Sequence, residues 1–123
     1  MRFFLTKAAI NNYNHLMNNH LDIYGLTDRD RATIDRIFSL YPEVRFVHLF
    51  GSRAKGTSNT GSDIDLAIMN SVESKVMRKL NNEFEESSLP YKVDLVDYNS
   101  ITNPDFIDHI NRVGIAFYTR DSK

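Results

Sequence analysis

The sequence predicts a domain of the α/β or α+β class, in which helices cover a β-sheet. One observation is that helix-like and strand-like segments alternate from residue 27 towards the end of the chain. Another is that 41% of the 123 residues are hydrophobic, which is enough for a single core. Residues 1–26 follow a different pattern. We therefore predict an N-terminal extension there and one folded domain over residues 27–123.

The extension is rich in asparagine, which is a poor helix former. Five asparagines occur between Asn11 and Asn19, yet apolar residues recur every three or four positions. These apolar residues are Ile10, Tyr13, Met17, Leu21 and Tyr24. The pattern leaves two interpretations open: a marginal helix that ends at Gly25, or a mobile segment.

Capping signals and apolar periodicity predict three helices in the domain. The first begins after Thr27, a typical N-cap residue, and ends before Pro42. The second is predicted over residues 72–87, where apolar residues recur every four positions. The third begins at Asn103-Pro104, because proline is tolerated at the first helical position, and it ends at Gly114.

Runs of β-branched and aromatic residues without internal glycine or proline predict the strands. They cover residues 44–50, 63–69 and 91–98, and residues 115–118 form a short fourth strand or an extended tail. The resulting order is helix, strand, loop, strand, helix, strand, helix. This alternation is the one expected for a sheet covered by helices.

A glycine-containing loop follows the first strand directly and has the features of a phosphate-binding turn. Gly51 permits a tight turn and a close approach of the backbone to a ligand, and the Ser52 hydroxyl adds a donor. Arg53 and Lys55 add positive charge, and a short helix over residues 52–55 would direct backbone N–H groups at the same anion. An ordinary strand-to-loop turn with solvated cations is the alternative.

Two aspartates open the second strand, where a buried run is otherwise expected. Asp63 and Asp65 are two residues apart, so their carboxylates project from the same face of the strand. Their mutual repulsion is relieved by protonation or by a cation, and hard oxygen ligands suit Mg²⁺ or Mn²⁺. Solvated acids at an exposed strand start are the alternative interpretation.

A third carboxylate, Asp94, lies in the middle of the third predicted strand. A lone charge in a buried strand is costly unless it is paired or bound to a metal ion. If the third strand lies beside the second, Asp94 completes a cluster with Asp63 and Asp65 that can hold two divalent ions. Asp97, nearer the end of the same strand, fits a solvated strand terminus.

The loop and the acids together resemble the signature of the minimal nucleotidyltransferases, small members of the DNA polymerase β-like superfamily. In that signature a Gly-Ser pair is followed by ten residues and then by Asp-x-Asp. Here Gly51-Ser52, residues 53–62 and Asp63-Ile64-Asp65 match it in full. Asp94, within "VDLV", matches the family's third acid on a later strand. The resemblance extends over residues 27–118.

The resemblance implies a polymerase β-like core, with a mixed sheet flanked by helices. It also implies an enzyme that transfers a nucleoside monophosphate to a hydroxyl, with two Mg²⁺ ions as cofactors and Mn²⁺ as an alternative. We expect AMP to come from ATP, with release of pyrophosphate.

The resemblance further implies a role for each residue of the signature. Triphosphate binding falls to Gly51, Ser52, Arg53 and Lys55. Metal binding and catalysis fall to Asp63, Asp65 and Asp94. Within the second group the Asp-x-Asp pair binds both Mg²⁺ ions. The third acid holds the catalytic ion and favours deprotonation of the acceptor hydroxyl.

Such proteins are typically encoded beside a helical HEPN-domain protein. The resemblance therefore implies a hetero-oligomer and the role of an antitoxin that adds AMP to a HEPN toxin. We expect no second domain for an acceptor in this chain. We therefore expect the acceptor to come from such a partner or from the second subunit of a homodimer. Two alternatives stay open. One is a non-catalytic module that neutralises a helical partner, and the other is a nucleotidyltransferase that modifies a small molecule with a separate substrate-binding subunit.

The amino-acid composition argues against several classes of function. There is no cysteine, so a disulfide, a thiolate metal site and a cysteine nucleophile are excluded. A formal net charge of −1 argues against the wrapping of long nucleic acid. No apolar run approaches the length of a transmembrane helix, so we expect a cytoplasmic protein without a membrane partner.

Overall fold

The computed structural model describes residues 21–59 and 61–120. Over these residues the chain forms helices and strands in an order that matches the predicted alternation. The helices are α1 (Asp28–Ser39), α2 (Gly51–Lys55), α3 (Ser74–Glu85) and α4 (Pro104–Val113). The strands are β1 (Phe46–Phe50), β2 (Ile64–Ile68), β3 (Val93–Asp97) and β4 (Ile115–Thr119). A 3₁₀ turn, Tyr98–Ser100, follows β3.

The strands form one mixed sheet in the order β3-β2-β1-β4. β1 is antiparallel to both of its neighbours, β2 and β4, whereas β2 and β3 are parallel. Helix α3 connects the parallel pair, as is usual because parallel strands need a long crossover. The mixed sheet with flanking helices confirms the predicted fold class.

Strand β1 begins two residues later than predicted because the preceding N–H groups bond elsewhere. The Val44 N–H donates to the Tyr41 carbonyl and closes a turn after α1. The Arg45 N–H donates to the side-chain oxygen of Asn70 at 2.9 Å. Val44 is nevertheless fully buried, which explains why its position reads as part of a strand in the sequence.

Helices α1 and α3 cover one face of the sheet and form the main core with it. Alternate residues of β2, namely Ile64, Leu66 and Ile68, point to this face and are fully buried. Across the two helices, the rings of Phe38 and Phe84 pack edge to face with centroids 5.3 Å apart. Burial of this face fixes the register of β2, because a slip of one residue would turn its apolar side chains to the other face.

Helix α4 packs on the opposite face of the sheet in a smaller apolar cluster. Its buried residue Ile110 packs with Phe50 of β1 and Ala67 of β2. Because side chains alternate along a strand, Asp65 and its register partner Asp94 belong to this face too. The two acids lie where β2 and β3 begin, beside the end of β1.

The helix termini follow the predicted capping signals. The Thr27 hydroxyl accepts from the Asp30 N–H, and the Asp30 carboxylate accepts from the Thr27 N–H, both at 3.0 Å. This reciprocal pair is a capping box. Asn103 caps α4 by accepting from the Asp105 N–H at 2.8 Å. In the described part of the chain, no helix combines the length and apolar character needed to cross a membrane.

The residues just before α1 pack against the domain. Leu26 is fully buried and belongs to the main core. The Asp22 carboxylate accepts from the N–H groups of Tyr24 and Leu26, at 2.8 and 3.0 Å, and so closes a turn. Most of the marginal helix predicted in the extension falls on residues 1–20, which lie outside the described residues. Its last part, from residue 21 onward, forms this turn rather than a helix.

Candidate active site

Two of the three predicted acids are direct neighbours across adjacent strands. Asp65 on β2 and Asp94 on β3 are register partners in the parallel ladder. Paired residues point to the same face, and neighbouring strands lie about 4.8 Å apart. The third predicted strand thus lies beside the second, which is the condition for Asp94 to join Asp63 and Asp65. The two carboxylates share the face of the sheet on which α4 packs.

The third acid, Asp63, directly precedes β2. Its side chain is exposed, as is that of Asp94, whereas Asp65 is half-buried. The two-residue spacing directs Asp63 and Asp65 to the same side of the extended chain. Asp65 and Asp94 thus lie within the sheet, and Asp63 lies just before it. The side chains of Asp63 and Asp94 reach solvent.

The carboxylates of Asp63, Asp65 and Asp94 are the kind of ligand that a hard divalent cation prefers. In the structure, however, their side chains do not form a complete ligand group. Among residues 21–59 and 61–120, no three His, Asp or Glu side chains lie close enough together to hold an ion. The three carboxylates are nevertheless all hard oxygen donors and come from neighbouring chain segments. Asp63 and Asp94 are exposed and keep the rotamer freedom to turn towards a cation.

The electrostatics of Asp65 also favour a cation. Burial, followed by the charges of Asp94 and Asp63, raises the pKa of Asp65 from 3.8 to about 6. The positive charges of Arg53 and Lys92 lower this pKa but do not offset the rise. Since like charges oppose the ionised form of Asp65, a cation between the carboxylates would stabilise it.

Gly51, the first residue of the predicted phosphate turn, lies against Asp65. Its φ of +76° is in the left-handed region that favours glycine. A Cβ at this position would overlap the Asp65 carboxylate, with the carboxyl carbon 3.0 Å away. The register explains the contact, because Phe50 is the antiparallel partner of Asp65. The predicted turn and the second aspartate of the Asp-x-Asp pair therefore lie side by side.

The short helix predicted after the turn is present as α2. Ser52 is half-buried in its first turn, and Lys55 is exposed in its last turn. Gly56 ends the helix with a φ of 78°. The structure thus brings Gly51 against Asp65, and Ser52 follows Gly51 in the first turn of α2. The contact of Gly51, Ser52 and Lys55 with a triphosphate stays a prediction.

Arg53 differs from its neighbours in α2 because its side chain is buried, with 2% exposure. The guanidinium donates to the carbonyls of Ser62 and Asp63 on one side. On the other side it donates to the carbonyls of Tyr24 and Gly25. The contact of Arg53 with a triphosphate stays a prediction. In the structure its guanidinium donates to four backbone carbonyls instead.

Reasoning from the sequence missed the groups that surround Arg53. Backbone carbonyls carry no residue signature, so the bonds to Ser62 and Tyr24 could not be found from the sequence. Tyr91, whose ring centroid lies 4.5 Å from the guanidinium carbon, reads as an ordinary strand residue. The sequence pattern indicates a helix end at Gly25, whereas in the structure this glycine adopts a φ of 78° beside the guanidinium.

Asp97, the other acid of β3, has a structural role. Its carboxylate accepts from the Asn99 N–H at 3.2 Å and from the Ser100 hydroxyl at 2.9 Å, and so caps the 3₁₀ turn. It lies three residues after Asp94, and strand alternation turns the two side chains to opposite faces. Asp97 therefore serves as a matched control for Asp94.

Two cavities in the described part of the chain lie away from the acids. One of about 340 Å³ is lined by Leu21, Gly25, Arg53, Ser58, Asn59 and Tyr91. The other, of about 660 Å³, lies between α1 and β4. Neither is lined by the three aspartates, two of which are exposed. Their exposure makes Asp63 and Asp94 accessible to a ligand or a partner.

Comparison with known proteins agrees with the motif. The family described as "Polymerase beta, Nucleotidyltransferase" matches residues 32–123, which include the turn and all three aspartates. A Haemophilus influenzae protein named "Probable protein adenylyltransferase MntA" is 36% identical over 77 residues. The aligned region covers 61% of this chain and 67% of that protein.

Solved structures share the fold. The chain is similar to a substituted form of the toxin-antitoxin MntA-HpeT, with 25% identity and a TM-score of 0.55. That match covers 77% of this chain and 74% of the other. The chain is also similar to a toxin-antitoxin crystallised with AMP-PNP, with 24% identity, a TM-score of 0.59 and coverage of 74% of each chain. At the identity of this second structure, the likeness concerns the fold alone.

Proposed function

Since the chain belongs to the polymerase β nucleotidyltransferase family, we propose that it transfers AMP from ATP to a hydroxyl of a protein partner. The observation that carries the proposal is the contact between Gly51 and Asp65, which is in turn the register partner of Asp94. This contact places the predicted phosphate turn beside the carboxylate pair Asp65 and Asp94. The choice of AMP and of a protein acceptor is supported by the similarity to the adenylyltransferase from H. influenzae.

Triphosphate binding is proposed for the turn and the helix that follows it. Gly51 has no side chain between its backbone and a ligand, and Ser52, which carries a hydroxyl, follows it in the first turn of α2. Lys55 is exposed in the last turn of α2, where it adds positive charge. These three groups would orient the α-phosphorus towards the acids and exclude other orientations of the nucleotide.

The carboxylates of Asp63, Asp65 and Asp94 would hold the divalent ions. When bound, Mg²⁺ supplies neutralisation of the triphosphate charge and activation of the attacking oxygen. Asp65 is ionised mainly above pH values near its pKa of about 6, so metal binding by this side chain is expected to strengthen as the pH rises through that value.

The chemical step is a substitution at the α-phosphorus of ATP. A bond forms between the acceptor oxygen and the α-phosphorus, the bond between that phosphorus and the α–β bridging oxygen breaks, and pyrophosphate leaves. We assign the hydroxyl proton to a carboxylate oxygen of Asp94, because this exposed side chain can reach an acceptor that approaches from solvent.

A macromolecular acceptor fits the surface around the acids. The side chains of Asp63 and Asp94 are exposed. An accessible site can receive a hydroxyl that projects from a second protein. The toxin-antitoxin MntA-HpeT, which is similar in fold and 25% identical, supports a partner of this kind. We therefore propose a hetero-oligomer with a helical HEPN toxin, in which this chain acts as the antitoxin.

The test uses the full chain with Mg²⁺, ATP labelled at the α-phosphate, and a helical protein encoded beside it. We expect label on that protein. ATP labelled at the γ-phosphate should give none, because the β- and γ-phosphates leave together. The variant Asp63→Ala/Asp65→Ala should lose the transfer, and Asp97→Asn, which changes an acid outside the site, should retain it.

Three outcomes would contradict the proposal. Label from the γ-phosphate would indicate a kinase. Label on a small molecule instead of the protein would indicate a different acceptor class. Protection of cells from the partner by Asp63→Asn/Asp65→Asn at the level of the unchanged chain would favour a non-catalytic module that neutralises its partner by binding alone.

A further inference from the structure

We infer that Arg53 is a positioning residue of the site, because its guanidinium fixes the chain segments that lead into both acid-bearing strands. The inference rests on the proposed function only for its consequence in catalysis. The geometry on which it depends consists of contacts within the described residues. It gives Arg53 a role different from direct binding of a triphosphate.

The first set of contacts holds the entry to β2. Nη2 donates to the Ser62 carbonyl at 2.6 Å, and Nε donates to the carbonyls of Ser62 and Asp63 at 3.2 Å each. These are the two residues that precede β2, and Asp63 is the first acid of the pair. The guanidinium therefore sets the path of the backbone from which the Asp63 side chain projects.

The second contact reaches the entry to β3. The guanidinium carbon lies 4.5 Å from the centroid of the Tyr91 ring, which is within the range of a cation–π interaction. Tyr91 is three residues before Asp94. The neighbouring Lys92 carbonyl accepts from the Ile64 N–H at 2.9 Å and so joins the two entry segments. One side chain thus contacts the approaches to both acid-bearing strands.

The third set of contacts joins the guanidinium to the turn before α1. Nη1 donates to the carbonyls of Tyr24 and Gly25 at 2.9 and 3.1 Å. Gly25 is needed for this approach, because a Cβ there would lie 2.8 Å from Nη1 and its φ is +78°. The turn before α1, which lies in the predicted extension, is therefore part of the support of the site.

The energetics argue against a role in packing alone. A buried charge is costly unless it is paired, and in the described residues no carboxylate forms a salt bridge with Arg53. Carbonyl dipoles and an aromatic ring compensate the charge instead. A planar fork with several N–H donors can bond four carbonyls at once, whereas the ammonium group of lysine is a single point of charge. The arrangement is therefore specific to arginine.

Arg31 supplies a matched control. Its guanidinium carbon lies 3.9 Å from the centroid of the Phe117 ring, and Nη2 donates to the Phe117 carbonyl at 3.3 Å. Like Arg53, it bonds a backbone carbonyl and contacts an aromatic ring, although it is half-buried whereas Arg53 is fully buried. In the part of the chain that the structure describes, it makes no bond to the segments that lead into β2 and β3, and its contact with Asp22 is long, at 3.5 Å. Without Arg31, Asp22 still accepts from the N–H groups of Tyr24 and Leu26, so the turn that holds Arg53 keeps its own bonds.

The experiment compares Arg53→Met, Arg53→Lys and Arg31→Met in the full chain, by amide hydrogen exchange and by titration with Mn²⁺ alone. We expect Arg53→Met to speed exchange in the peptide covering residues 61–65 and to weaken Mn²⁺ binding about tenfold to a hundredfold, the range for groups that orient metal ligands. Arg53→Lys should restore part of the affinity. Arg31→Met should change neither the exchange nor the Mn²⁺ affinity, even if it lowers the melting temperature as much as Arg53→Met does.

The inference is overturned if Arg53→Met leaves both readouts within twofold of the unchanged chain, or if Arg31→Met alters them equally. If Arg53→Met does not fold, Arg53→Lys decides, and unchanged exchange over residues 61–65 in that variant also overturns it. Failure of the proposed function is distinguishable. In that case the unchanged chain binds no Mn²⁺ and transfers no AMP, while the exchange experiment still tests the contacts of Arg53.

Discussion

Asp65 and Asp94 are register partners on two parallel strands, so two carboxylates project side by side from one face of the sheet. Burial and the charges of Asp94 and Asp63 raise the pKa of Asp65 to about 6. The ligand-free chain therefore carries an unfavourable group of charges beside the Gly51 turn. Such perturbed carboxylates are typical of functional sites, where a ligand or cation relieves the repulsion.

The first prediction is that Asp65→Asn stabilises the ligand-free protein near neutral pH. The pKa of Asp65 is about 6 in the folded chain against an ordinary 3.8, so the folded state binds this proton more tightly. Stability therefore falls as the pH rises from about 4 to about 6, and asparagine removes that loss. Because the side chain is half-buried and solvent screens it, we expect a gain of about 1 kcal/mol, or about 4 °C in Tm.

Thermal unfolding without divalent ions measures this gain at about pH 4.5 and about pH 7.5. The gain should be present at the higher pH and largely absent at the lower one. Asp108→Asn, which changes an exposed acid paired with Arg112, should show no such dependence. A gain of equal size at both pH values, or a loss of stability at the higher one, would contradict the assignment of Asp65.

The second prediction concerns the contact of Gly51 with Asp65. Gly51→Ala and Gly56→Ala both impose a side chain on a left-handed backbone, with φ values of +76° and +78°. That strain alone costs about 1–2 kcal/mol.

A Cβ at Gly56 meets nothing within 4 Å, whereas one at Gly51 overlaps the Asp65 carboxylate. Gly51→Ala should therefore cost about 1–3 kcal/mol more than Gly56→Ala in urea unfolding. If the two variants lose the same unfolding free energy, the close approach of Gly51 to Asp65 does not contribute to stability.

The third prediction tests where the folded domain begins. Leu26 is fully buried in the main core, although it falls in the predicted extension. We expect Leu26→Ala to lower the free energy of unfolding by about 2–5 kcal/mol. Leu40→Ala, at a site with 50% exposure, should lower it by less than about 1 kcal/mol. If the two variants lose stability equally, the domain begins at Thr27 as the sequence predicts.

Features with local signals could be predicted from the sequence. The N-caps at Thr27 and Asn103 depend on side chains within three residues of the helix start, and both are present. The alternation of apolar residues in β2 reports a face that is buried by α1 and α3. The spacing between Gly51-Ser52 and Asp63 identifies the family without any knowledge of the sheet.

Features that depend on pairing between distant segments could not be predicted in the same way. That Asp65 faces Asp94 follows from the register of β2 and β3, which the crossover through α3 and the burial of Leu66 determine together. Arg53 is a second case. An arginine next to a glycine-serine turn suggests a phosphate ligand. Arg53 is buried instead, because its guanidinium bonds backbone carbonyls from segments distant in sequence, such as that of Tyr24.

The most direct test of the central claim is a titration of the full chain with Mn²⁺, followed by electron paramagnetic resonance. Asp94→Asn and Asp97→Asn both change an aspartate of β3 to its amide, but only Asp94 is the register partner of Asp65. We predict that the unchanged chain and Asp97→Asn bind Mn²⁺ equally. Asp94→Asn should bind it at least about tenfold more weakly, a loss typical even of groups that only orient a metal ligand. Absence of Mn²⁺ binding by the unchanged chain, or equal affinity in Asp94→Asn, would contradict the account.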